Sequence, residues 1–278
     1  MRVALALFIA GGLCLSSLDA VGKLLMSQTS LIVLLWARYV GQLLLSLPLA
    51  YWWAGPQFWR TSRPGLQWTR STLLLLTSVL MFGGLQFLPL AEASAIAFTA
   101  PLWVALLSGP MLGERVERRD ALVAVVGFFG LLLIVRPGTE IFHLGALLVG
   151  AMAIFNAVYQ LLTRQLIGDH PFTTFFYSGL VGSGVCTVLL LTAGSLQDLS
   201  PQAIALMAAA GLFGGLGHLL FLLAFYRASP ASLTPFVYLQ MIWAIGFGWM
   251  LFGQFPDGLS LVGMAVIIGS GLWLILHR

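Results

Sequence analysis

Few residues in this chain carry side chains suited to acid–base or ligand chemistry, and their spacing narrows what that chemistry is. Asp19 and Lys23 stand four positions apart, which puts them on one helical face within reach of each other. The leading expectation is a structural ion pair that seats the first helix; contact with a zwitterionic substrate and proton carriage are the alternatives. Asn156 and Gln160 repeat that spacing without charge. Arg38 and His218 each stand among apolar residues. For Arg38, pairing with a carboxylate or a helix C-terminus is expected ahead of substrate binding, while His218 is divided evenly between a hydrogen-bonded core role and cavity lining. Glu92 follows Pro89, where a carboxylate suits a helix N-terminus. Carboxylates cluster once, at Glu114, Glu117 and Asp120, interleaved with Arg115, Arg118 and Arg119. That mixture reads as a salt-bridged connector and not as a metal or acid–base site. The chain has no His-x-x-x-His, no acidic pair suited to Mg²⁺ and no glycine-rich phosphate loop. Cys14 and Cys186 sit inside apolar runs and are expected as small buried hydrophobes. An enzyme, a metal centre and a bound cofactor are therefore not expected.

The elements that must position these residues are set by composition. Of 278 residues 60% are hydrophobic and 8% charged, and the mean hydropathy is +0.99. Thirteen Lys+Arg and nine Asp+Glu are too few to cover a soluble globule, so the surrounding solvent is expected to be lipid. The net charge of +4 is then a matter of topology, and nucleic-acid binding is not expected. Ten apolar runs are long enough to span a bilayer as helices: about 3–26, 31–53, 70–88, 92–112, 119–136, 144–163, 172–193, 202–225, 231–252 and 259–276. Turn chemistry separates them at Gly55-Pro56, Arg63-Pro64-Gly65, Arg136-Pro137-Gly138, His170-Pro171, Ser200-Pro201, Ser229-Pro230 and Pro256-Asp257-Gly258. The runs lack period-2 alternation, which excludes a β-barrel. The expected fold is an all-α integral membrane protein of ten transmembrane helices.

Placing the N-terminus in the cytoplasm puts Arg2, Arg60, Arg63, Arg70, Arg115, Arg118, Arg119, Arg164, Arg227 and Arg278 inside and only Arg136 outside, a strong positive-inside bias. Both termini are thus expected in the cytoplasm. Residues 1–20 could be read as a cleaved secretory signal, but removing them would leave nine spans and spoil an internal repeat. An offset of 137 aligns Asp19-Ala20-Val21 with Asn156-Ala157-Val158 and Lys23 with Gln160. An offset of 138 aligns Tyr39 with Tyr177, and an offset of 140 aligns Trp103 with Trp243 and Gly113 with Gly253. Five helices per half is an odd number, so the second half, 139–278, is expected to enter the membrane inverted relative to the first, 1–138.

The segment Leu88-Pro89-Leu90-Ala91-Glu92 through Thr99-Ala100-Pro101-Leu102-Trp103, followed by Leu112-Gly113-Glu114-Arg115, resembles the fourth-helix signature of the drug/metabolite transporter superfamily, EamA type. Lys23 in helix 1 and Arg38 in Trp36-Ala37-Arg38-Tyr39 of helix 2 extend the resemblance, which covers the whole chain. The second half departs from the pattern, with Leu239-Gln240-Met241 and Gly253-Gln254 where the family often repeats its proline and Gly-Glu. Within the superfamily the chain looks most like the YddG-type exporters of aromatic and other neutral amino acids. The resemblance implies export across the bacterial inner membrane by alternating access, with a multidrug or cation exporter as the alternative. A monomer or weak homodimer in lipid, binding a small molecule, is the expected assembly.

The substrate cavity is expected near the membrane midplane where the halves meet. Its aromatic wall is assigned to Trp103, Tyr159, Tyr238 and Trp243, and its polar contacts to Thr99, Asn156 and His218. Thr99 and Trp103 share a face at i,i+4, and Pro101 lacks the N–H that would occupy a carbonyl one turn earlier.

Overall fold

The computed structural model describes residues 2–113, 118–136, 144–166, 168–193, 199–225, 227–228 and 233–276. These residues form helices, without a strand among them: α1 Arg2–Met26, α2 Leu31–Ala54, α3 Pro64–Leu85, α4 Leu90–Ala97, α5 Ala100–Leu112, α6 Arg118–Val135, α7 Leu144–Gln165, α8 Pro171–Ala193 and α9 Pro201–Phe225. A 3₁₀ turn at Thr234–Tyr238 then leads into α10 Leu239–Phe252, and α11 is Gly258–Leu276. Proline opens α3, α8 and α9, where its missing N–H would have no partner and its φ already suits a helix. Seven helical stretches are long and apolar enough to cross a membrane, one of them α4 and α5 taken together, and three shorter apolar helices accompany them. Counting α4 with α5 and the 3₁₀ turn with α10, the described residues form ten helical segments in the order of the ten apolar runs.

The fourth span is not continuous, and the described part of the ninth opens with a 3₁₀ turn. Helix α4 stops at Ala97 and α5 starts at Ala100, because Pro101 has no N–H to give the Ala97 carbonyl. The chain crosses the gap with Phe98 N–H donating to Ser94 O at 2.9 Å and Thr99 N–H to Ile96 O at 3.1 Å. In the ninth span the Thr234–Tyr238 turn, with Pro235 at its start, precedes α10. An offset of 140 carries Phe98 onto Tyr238 and also relates the glycines that end α5 and α10. Gly113 has φ 72° and Gly253 has φ 65°, the left-handed conformation that closes a helix at least cost when the residue has no Cβ.

Packing runs mainly between the first five spans and the last five. Helix α1 lies against α9 as α3 lies against α7, α2 against α8, α6 against α11, and α5 meets α7 as α1 meets α10. Backbones come close where side chains are absent: a methyl group at Gly41 would lie 2.4 Å from Gly211 Cα, so α2 and α9 touch there only as glycines. The largest core joins Leu25, Leu34, Tyr39, Phe82 and Ile96 to Val149, Met241 and Ile267. The outside is apolar as well, with Met250 77% and Leu191 80% exposed, the profile of a surface wetted by lipid tails and not by water.

Candidate functional site

Polar chemistry gathers on the inner faces of α2 and α3 where they meet α7, α8 and α9. Arg70 is the largest departure from expectation. The sequence reading started the third span at Arg70 and counted that residue as a cytoplasmic flank, whereas α3 starts at Pro64 and carries Arg70 about 9 Å into the helix. It is 5% exposed. Its Nε donates to Thr163 Oγ1 at 2.8 Å, Nη1 to Ser178 Oγ at 2.6 Å and to Thr174 O at 3.2 Å, and Nη2 to Tyr159 Oη at 2.6 Å. The guanidinium also lies 4.6 Å from the centre of the Tyr159 ring, a cation–π arrangement. The Arg63-Pro64-Gly65 signal, taken as a helix start, would have shown Arg70 to be internal.

Arg38, on α2, is likewise 5% exposed. Its Nη1 donates to Ser78 Oγ and, at 3.5 Å, to Tyr39 Oη, while Nη2 donates to His218 Nε2 at 3.1 Å. Tyr39 Oη donates to Leu74 O at 3.0 Å. Its stem rests on Gly214, where a methyl group would lie 3.0 Å from Arg38 Cγ. His218 is thus a hydrogen-bonded interior residue whose partner comes from the other half of the chain. Tyr39 stands in the repeat and in the resemblance without reading as a site residue, and nothing singles out Ser78, Thr163 and Ser178, since hydroxyls in apolar helices are common.

The Asp19–Lys23 ion pair is not formed. Lys23 Nζ donates to Leu88 O and, at 3.5 Å, to Gln254 Oε1, and lies 5.4 Å from the Phe252 ring centre. Helix spacing permits the pair, but Lys23 is in the last turn of α1, where the carbonyl of the α3–α4 connection captures its ammonium. Asp19 instead lies in the field of Arg38. Glu92 stands in the first turn of α4 and accepts from Ser260 Oγ at 3.4 Å, which ties α4 to α11. Among the carboxylate cluster, Glu114 and Glu117 lie outside the described residues, as does Arg115.

The remaining expected site residues fall into three groups. Tyr159 and His218 meet the two arginines. Thr99 spends its hydroxyl on Ile96 O at 2.7 Å, and Asn156 Oδ1 accepts from Gln160 at 3.4 Å. Tyr238 is buried beside Phe98, ring centres 6.2 Å apart, so the break in the fourth span and the 3₁₀ turn of the ninth touch through these residues. Trp103 and Trp243 are half-buried on α5 and α10. Among buried atoms, Tyr238 Oη, Trp243 Nε1, Arg38 Nε and both amide ends of Gln42 have no hydrogen-bond partner.

Polar latches close both ends of the bundle between the halves. At one end Asp169, between α7 and α8, accepts from Thr61 Oγ1, from Ser62 N at 3.3 Å and Oγ at 3.1 Å, and from Gln67 Nε2 at 2.9 Å. Partial burial opposes ionisation of Asp169, but the donors of Thr61, Gln67 and Ser62 together outweigh it and hold the pKa below the ordinary carboxylate value. At the other end Arg136 Nη2 lies 2.5 and 2.6 Å from the two oxygens of Asp257. That donor, with the Ser260 N–H, pulls the Asp257 pKa down to about 2. Asp257 also caps α11 through Ser260 N–H at 2.8 Å.

Among the described residues, seven helical stretches long and apolar enough to cross a membrane, three shorter apolar helices and two buried arginines bonded to side chains on distant helices define a multi-pass membrane protein. The description of the EamA-like transporter family matches the chain twice, over residues 2–136 and 143–276; the chain belongs to that family. It is 27% identical over 263 residues to the S-adenosylmethionine uptake transporter of Rickettsia felis, covering 94% of this chain and 88% of that protein. It is 28% identical over 216 residues to the riboflavin transporter of Rhizobium johnstonii, with 77% and 71% covered. The pseudopaline exporter CntI of Pseudomonas aeruginosa matches at 26% over 200 residues, with 72% and 70% covered. A solved crystal structure superposes with a TM-score of 0.72 at 18% identity over 100% of this chain and 98% of its own, a likeness of fold.

Proposed function

We propose that this transporter exports small metabolites, aromatic or other neutral amino acids first among them, across the bacterial cytoplasmic membrane by alternating access. The halves 1–138 and 139–278 are read as inverted five-span repeats that rock about a site at their interface, with both termini in the cytoplasm. The carrying observation is the broken fourth span and the 3₁₀ opening of the ninth, which meet in ring contact through Phe98 and Tyr238, residues 140 apart. Interrupted helices at corresponding places in two halves mark the substrate site of repeat-built transporters, because they present unpaired backbone groups to a ligand at membrane depth. The double family match and the reciprocal packing of the helices support the repeat. Thr99, Trp103, Asn156, Tyr159, His218, Tyr238 and Trp243 are proposed to line the site, with aromatic faces for an apolar side chain.

The relatives carry different cargoes in both directions, and S-adenosylmethionine is itself an amino-acid derivative. Counterflow in proteoliposomes loaded with labelled tryptophan, phenylalanine, leucine, S-adenosylmethionine or riboflavin decides among them. Saturable exchange of the aromatic amino acids, reduced severalfold in Trp103→Ala at unchanged folded yield, is the expected result. Exchange of S-adenosylmethionine or riboflavin alone would replace the proposed cargo.

A further inference from the structure

The interior holds two guanidinium charges, Arg38 and Arg70, and their hydrogen-bond partners are all neutral: hydroxyls, a backbone carbonyl and an imidazole nitrogen. Such partners solvate a cation without cancelling its charge. Among the described residues no acid is hydrogen-bonded to either arginine. A positive charge in excess deep in a membrane protein is costly, and its field reaches far because little screens it. One turn from Arg38 on α2, at i,i+4, Gln42 is 0% exposed. Arg38 Nε and both amide ends of Gln42 are unpartnered, which leaves donors for an oxyanion and an acceptor for an ammonium on adjacent turns.

We propose that Arg38, with Gln42 one turn away, forms the subsite for a carboxylate on the transported molecule, so that cargo is anionic or zwitterionic and compounds bearing only a cation are excluded. This rests on the reading of the inter-half interface as the substrate site and names the chemical class that site accepts. Planar guanidinium donors suit the two oxygens of a carboxylate. The arrangement also couples binding to motion. Arg38 belongs to the first half and its partner His218 to the second. A carboxylate that takes over the Arg38 donors competes with a bond that holds the halves together, and loading therefore loosens the interface.

The test uses purified full-length protein in detergent and two probes that share an indole ring, indole-3-propionate and tryptamine. The midpoint of thermal unfolding is followed against probe concentration. Indole-3-propionate is expected to raise the midpoint of the parent while tryptamine leaves it unchanged. In Arg38→Gln the half-maximal concentration for the carboxylate rises about tenfold or more, as loss of a charged hydrogen-bonding partner predicts, and Arg38→Lys recovers part of the response. An equal response to tryptamine, no response to indole-3-propionate, or a parent-like response in Arg38→Gln overturns the subsite. Should Arg38→Gln fail to fold, the comparison of the two probes on the parent decides alone. Carboxylate stabilisation without tryptophan counterflow keeps the subsite and removes amino acids as cargo; tryptophan counterflow with an equal tryptamine response does the reverse.

Discussion

Lys23 and Asp19 show how local spacing proposes a contact that tertiary structure then reassigns. With Lys23 held by Leu88 O and Gln254, and Asp19 in the field of Arg38, the two side chains have separate partners. Their effects on stability are therefore expected to add. A double-mutant cycle with Asp19→Asn and Lys23→Gln should give a coupling energy below about 0.5 kcal/mol, and a larger value measured by thermal unfolding would restore the pair. Asp257 behaves differently because its pKa is lowered to about 2 by Arg136 and the Ser260 N–H. A carboxylate depressed in the folded state stabilises it above the unfolded value of about 3.9, and that contribution is lost as pH falls toward the folded value. Asp257→Asn should thus lower the unfolding midpoint by a constant small amount from about pH 8 to about pH 5, with the gap closing below about pH 4. The effect is small because the carboxylate is 53% exposed and the pair is screened. A gap that changes between pH 8 and 5 would show that another group governs this latch.

At the scale of elements, two devices matter: glycine contacts that let helices close up, and interruptions that keep two spans from being plain helices. Gly41 meets the Gly211 backbone, whereas a methyl group at Gly150 on α7 would meet nothing within 4 Å. Gly41→Ala is expected to separate α2 from α9, displace Arg38 from His218 and reduce folded yield. Gly150→Ala should be neutral or stabilise by up to about 1 kcal/mol, the helix-propensity gain. Equal yields for the two variants by size-exclusion chromatography would remove close packing as the role of Gly41. Pro101→Ala restores the N–H that the Ala97 carbonyl lacks and favours a continuous span across Phe98 and Thr99. Folded yield should hold or rise while counterflow falls severalfold. Unchanged transport would mean the interruption is incidental to function.

For the whole molecule, the bundle places Asp169 with Thr61, Ser62 and Gln67 at one end and Arg136 with Asp257 at the other. With both termini in the cytoplasm, as proposed, the first latch would lie inside and the second outside. Arg70 no longer counts as a flank, but the remaining inside arginines still outnumber Arg136, so the charge argument keeps its sign. With Cys14 and Cys186 replaced by serine, a membrane-impermeant maleimide added to intact cells should label Asp257→Cys and leave Arg60→Cys unlabelled. The opposite pattern would invert the molecule and, with it, the direction assigned to transport.

The sequence by itself determined the solvent and the succession of apolar helices, because lipid demands about 20 continuous apolar residues per crossing and tolerates few charges. It also marked the left-handed glycines that end α5 and α10, 140 residues apart, and the proline that breaks the fourth span, since both are written in local residue types. Only the tertiary structure decided which polar side chains meet. Arg38 and His218 are 180 positions apart and Arg70 and Tyr159 are 89 apart; polar residues at helical spacing, Arg38, Gln42 and Ser46 on α2 and Gln67, Arg70, Ser71 and Ser78 on α3, mark the inward faces but do not say which helix lies opposite. In an apolar span the few polar atoms are satisfied by whichever helix packs opposite, and that neighbour is set by glycine contacts and side-chain shape across the whole bundle.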